Sequence, residues 1–104
     1  MNFESVLKQM VDKIRINFDP EKIILFGSHA RGLADSDSDI DLMIVLETSM
    51  PPHKRAVPIR RILTGPGIPK DIIVKTPEEF KRFRNIAGSI VCSAARQGRI
   101  LYER

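Results

Sequence analysis

The sequence predicts a small α/β (α+β) domain, a sheet of three strands packed by helices. Two observations carry this reading. Short apolar runs at residues 23–26, within 39–46 and at 72–74 have the length of strands. Between and around them lie segments whose apolar residues recur at helical spacing, and such interleaving builds a layered sandwich. At 104 residues the chain reads as one domain, residues 1–104, able to enclose a single core but not a second lobe.

Each element has a local reason. Phe3, Val6, Leu7, Met10, Val11, Ile14 and Phe18 share one helical face, so the first segment is an amphipathic helix laid on the sheet, with Asn2 as its cap. Asp19-Pro20 stops it, because proline drives the residue before it out of the helical region. The first strand follows, then a Gly27-Ser28 turn, a short helix that Gly32 can end, and a polar connection over residues 33–38. After the second strand, residues 48–53 form a loop in which Pro52 suits a first helical turn. Pro58 interrupts any helix over 53–63, leaving either a loop and a helix that starts near it or two short pieces. Residues 64–69 turn into the third strand. Thr76 caps a helix starting at Pro77, and Glu79 completes a capping box. A last helix over 86–96 is closed by Gly98, leaving a short extended tail at 100–102.

Formal net charge is +4, which favours anionic partners such as nucleotides or nucleic acid. The excess is mild beside 13 acidic residues, and solvated helix faces account for most of it. No stretch of about 18 apolar residues exists, and the amino terminus lacks a basic region followed by a hydrophobic one, so a cytoplasmic protein with no membrane partner is expected. Cys92 is the single cysteine, which rules out an intramolecular disulfide, and its apolar flanks predict a small buried hydrophobe.

The chemistry concentrates in Gly27-Ser28-His29-Ala30-Arg31-Gly32 and Asp39-Ile40-Asp41-Leu42. A glycine straight after a buried strand lets backbone N–H groups approach a phosphate closely. Asp39 and Asp41 stand two apart on a strand, so their carboxylates share one face while Ile40 and Leu42 take the other. Paired carboxylates repel unless a cation sits between them, and an all-oxygen donor set selects magnesium or manganese over zinc. A phosphate cradle beside a carboxylate clamp describes a site for a nucleoside triphosphate bound with its metal.

The pattern resembles the nucleotidyltransferase superfamily that includes DNA polymerase β, with its Gly-Ser turn and Asp-x-Asp on the next strand. It looks most like the minimal nucleotidyltransferases, small prokaryotic members often encoded beside a HEPN-domain partner. The resemblance implies a mixed sheet with three acids on neighbouring strands, the third being Asp71. It also implies Mg2+, with Asp39, Asp41 and Asp71 as metal and catalytic residues and Gly27 and Ser28 against the phosphates. ATP is the implied substrate, and the implied acceptor is a tyrosine of a HEPN-type toxin.

Other residues have plainer readings beside functional ones. Ser28 can cap the short helix and touch phosphate at once. Arg31 can reach a phosphate or pair with Asp35 or Asp37. His29 borders the turn as an exposed loop residue, and His53 has no assigned role. Lys54, Arg55, Arg60 and Arg61 form the densest basic cluster, a solvated face from which one or two side chains could reach triphosphate or an acidic partner surface. Two rivals to transfer onto a protein remain at this point: a nucleotide-binding antitoxin acting by complex formation alone, and nucleotide addition to RNA. One Tyr and five Phe offer little base stacking for the latter.

Overall fold

The computed structural model describes residues 3–27, 29–30, 32, 40–64 and 71–104. Its sheet has four strands: β1 (Lys22–Phe26), β2 (Asp41–Val45), β3 (Asp71–Lys75) and β4 (Arg99–Glu103), in the order β3-β2-β1-β4. β1 runs antiparallel to β2 and β4, and β2 runs parallel to β3, so the sheet is mixed. The expected short tail is therefore a full edge strand, one more than the three anticipated. Its sequence alternation is obscured because the register slips between Ile23 and Ile24, which pair with Tyr102 and Ile100 and leave Leu101 between them.

Helices cover both faces. On one side α1 (Phe3–Phe18) and α2 (Ala56–Ile62) bury Leu7, Met10, Ile14 and Ile59 against Ile23, Leu25, Leu42, Ile44, Ile72 and Val74. On the other, α3 (Pro77–Phe83) and α4 (Ile90–Gln97) bring Phe80, Val91 and Ala94 onto Ile24, Phe26, Met43 and Val45. Residues 42–45 of β2 are buried in succession. Each such side chain contributes about 1.5–3 kcal/mol, so this strand anchors both cores. Cys92 is buried, as its flanks predict.

Several local expectations are met and some are corrected. α1 ends at Phe18, but Asp19 stops it in the left-handed region at φ 50 rather than in the extended one. Its N–H still donates to Arg15 O, a closure that aspartate tolerates better than most residues. Of the two arrangements open around Pro58, two short pieces form: a 3-10 turn at Pro52–Lys54, then α2, where Pro58 occupies the third position and its missing N–H falls among those a helix start leaves unused. The Thr76–Glu79 capping box is present in both directions. α4 starts at Ile90, four residues later than expected, because Gly88 at φ 87 turns the chain and Ser89 caps by accepting from Cys92 N–H. Gly98 does close α4, yet in extended backbone; a Cβ there would run into Ala94 O and the Ile24 side chain. The Asn2 cap, most of the short helix after Gly27 and the turn at 65–70 lie outside the described residues.

Arg55 leaves the basic cluster that the sequence suggests. It is 9% exposed, donating from Nε to Met50 O (2.9 Å) and from Nη1 to Glu79 Oε1 (2.7 Å) and Val74 O (3.3 Å). A basic run along one segment does not reveal that one member has a carboxylate partner 24 residues on. The Thr76 backbone N–H holds the Glu79 carboxyl below the usual carboxylate range; burial, next in size, opposes it, and the Arg55 guanidinium adds to the lowering. A depressed folded-state pKa stabilises above the unfolded value and ceases to do so as pH falls through the folded one. Glu79→Gln is thus expected to lose about 1–3 kcal/mol near pH 7, with the gap to wild type closing below about pH 4. Urea unfolding of both proteins at several pH values checks this; a gap independent of pH contradicts it. Gly98→Ala should cost about 1–3 kcal/mol by overpacking, read as a lowered urea midpoint with unchanged slope.

Candidate active site

The sheet end where β1 finishes and β2 and β3 begin gathers the functional candidates. Because β1 and β2 are antiparallel, Phe26 pairs with Asp41; because β2 and β3 are parallel, Asp41 pairs with Asp71. Strand alternation puts Asp41 on the face of Met43 and Val45, and Asp71 on the face of Ile73, which is the side that α3 and α4 cover. The two carboxylates thus start adjacent strands, about 4.8 Å apart in the sheet direction. Asp71 N–H donates to Ile40 O (3.3 Å), extending the ladder to the mouth of the site. Asp41 is half-buried and Asp71 exposed.

Gly27 turns away from β1 at φ 76, a conformation that side chains resist. A Cβ on it would collide with Asp41 Oδ2. The glycine that the sequence singles out for phosphate approach therefore has a second reason to be there: the Asp41 carboxylate occupies the space a side chain would take.

Of the other sequence candidates, Ser28, Arg31 and Asp39 lie outside the described residues, as do Asp35, Asp37 and Ser38. Among the described residues no group of three His, Cys, Asp or Glu gathers as a metal site, and the local acids are the pair Asp41 and Asp71. That pair fits a hard divalent cation: its donors are all oxygen, and two carboxylates at paired positions repel each other until a cation lies between them. Lys54, Arg60 and Arg61 are exposed, the last two in the final turn of α2. His53 is exposed in the 3-10 turn.

Two contacts at this end escape sequence reading. His29 stacks on Phe3, with ring centroids 4.7 Å apart and planes within 13°. Arg99, at the start of β4, grips both carboxylate oxygens of Glu4 in α1 at 2.7 and 2.8 Å. That double hydrogen bond holds the Glu4 carboxyl below its usual range and raises the Arg99 guanidinium. Phe3 and His29 are 26 positions apart in the chain and Glu4 and Arg99 are 95 apart, so no local pattern signals either contact.

Comparison with known proteins gives this geometry its class. Residues 6–92 match the family model described as a nucleotidyltransferase domain. The chain belongs to that family, and its class is that of a transferase. A relative in Methanocaldococcus jannaschii named "Putative protein adenylyltransferase" is 31% identical over 105 residues, covering 98% of this chain and all of that protein. A second protein of the same name and organism is 37% identical over 62 residues, 60% of this chain and 61% of its own length. Among solved structures, one described as "a putative nucleotidyltransferase" from Sulfolobus solfataricus superposes with a TM-score of 0.69 at 24% identity, covering 96% of this chain and 79% of that one. At that identity the likeness establishes the fold, a nucleotidyltransferase fold.

Gly27→Ala tests the turn. The left-handed backbone and the collision with Asp41 together should cost about 1–3 kcal/mol, measured by denaturant unfolding. Wild-type stability in that variant would show that the turn and the carboxylate adjust freely.

Proposed function

We propose that this chain is a magnesium-dependent nucleotidyltransferase that moves AMP from ATP onto a protein hydroxyl, with a tyrosine of a HEPN-type partner as the acceptor. The observation that carries the reading is the placement of Asp41 and Asp71 at paired strand starts beside the positive-φ turn of Gly27. Family membership supports nucleotidyl transfer, and the names of the two relatives support a protein acceptor. The HEPN partner rests on the sequence resemblance.

In this reading Asp39, Asp41 and Asp71 would hold one Mg2+ beside the attacking hydroxyl, and Asp39 and Asp41 alone a second beside the leaving pyrophosphate. Magnesium bound there supplies positive charge that steadies the leaving pyrophosphate and acidifies the attacking hydroxyl. Gly27 and Ser28 orient the phosphates in line, with Arg31 as a further phosphate contact. The acceptor oxygen attacks the α-phosphorus, the bond to the β-phosphate bridging oxygen breaks, and pyrophosphate departs. Asp71, exposed on an edge strand, accepts the hydroxyl proton and releases it to solvent. Asp41, tucked against Gly27, is confined to binding and orienting. Such catalysis is mostly positioning and charge neutralisation.

Incubation with α-labelled ATP and magnesium, with and without a HEPN-domain protein encoded beside the gene, tests the proposal. Label on the partner's tyrosine is expected. Label on RNA, or bound nucleotide with no transfer, would replace it with RNA-end addition or with a non-catalytic antitoxin. In the same assay Asp71→Ala should keep magnesium-ATP affinity within a few-fold while transfer falls about 100-fold or more. Parallel loss of affinity, transfer and melting temperature would instead make Asp71 structural. Asp41→Asn should lose nucleotide affinity and transfer together.

A further inference from the structure

We propose that Phe3 is a positioning residue for the nucleotide site, acting through the ring of His29; the nucleotide itself rests on the function proposed above. The turn after β1 leaves the sheet at Gly27, and two residues on, His29 lies flat against Phe3 at 4.7 Å and 13°. A near-parallel pair at this distance is an attractive aromatic contact rather than incidental proximity. Phe3 is 37% exposed at the first position of α1, so little core packing competes with this contact in explaining its place.

The helix end that carries Phe3 is itself fixed. The neighbouring residue, Glu4, is held bidentately by Arg99, whose strand pairs with β1 at Leu25, next to the turn. α1, the turn and β4 therefore close a ring of contacts around the end of β1: Arg99 locates the helix end, and Phe3 passes that location to His29. A turn that must present backbone to phosphate without moving gains from such a tether, because restraint already present need not be supplied on binding.

The test uses Phe3→Leu, which keeps an apolar side chain and a good helix former but removes the ring, and Phe3→Tyr, which restores it. Backbone order parameters from nitrogen relaxation report the apo turn directly. Phe3→Leu should lower them at Gly27, His29 and Ala30 while β1 is unchanged, and should raise KM for magnesium-ATP about 2- to 10-fold, the range for losing one aromatic pair, with kcat within twofold. Phe3→Tyr should recover both. Unchanged order in the turn of Phe3→Leu overturns the tether, and so does uniform loosening with a lowered melting temperature that Tyr does not rescue. Should wild type fail to bind ATP, the transferase reading falls, while the order parameters still decide whether Phe3 restrains the turn.

Discussion

Strand β2 is packed on both faces from Leu42 to Val45, and this double burial forces any charge it carries to its ends. A carboxylate one step further in would be stripped of water between two apolar layers, at a cost that burial of an unpaired charge rarely allows. Asp41 sits at the last position where solvent still reaches. Its neighbours then follow from strand direction. Antiparallel β1 arrives beside it and must turn at once, and parallel β3 starts abreast of it with Asp71. The turn is tight because the Asp41 carboxylate fills the space over Gly27.

The opposite end of the sheet is organised by the same electrostatics with the opposite result. There a charge does go inside: Arg55 is buried, and every direction its guanidinium donates in the structure meets an acceptor, from the Met50 and Val74 carbonyls to Glu79. Glu79 also closes the cap of α3, so the Arg55–Glu79 pair ties β3 and the start of α2 to α3. A buried pair satisfied in this way fixes geometry more than it adds stability. One end of the sheet thus neutralises its charges internally, and the other keeps two like charges together in reach of solvent and of a cation.

Rigid support suits the chemistry of this family. Carboxylates on strand starts inherit the precision of the ladder, where a loop would allow them to wander. The edges are treated differently: β4 is bulged at Leu101 and pinned at both ends, by Glu4–Arg99 and by Lys22–Glu103, which blunts it as a pairing edge. β3 carries the exposed Asp71 at the other edge, so this end of the pair faces solvent.

Much of this was legible in the residues themselves where the determining physics is local. The apolar spacing of α1, the run of β1, the Thr76-Pro77-Glu79 start of α3 and the Gly27 turn before an Asp-bearing strand all express constraints that act within a few positions. Where local signals compete, sequence reading slipped. Residues 86–89 share the helical apolar spacing of α4, but Gly88 and the Ser89 cap win over that periodicity. The tail at 99–103 lacks clear alternation because of its bulge, and only the waiting edge of β1 makes it a strand. The basic run at 54–61 conceals Arg55, whose role is set by a carboxylate on another element. The sequence by itself determined α1, the first three strands with acids on two of them, and the capped start of α3. Tertiary structure alone decided that Asp41 and Asp71 stand side by side, that Gly27 must yield its space to a carboxylate, and that Phe3 meets His29, because strand order and helix docking are settled by burial across the whole core and not by neighbours in the chain.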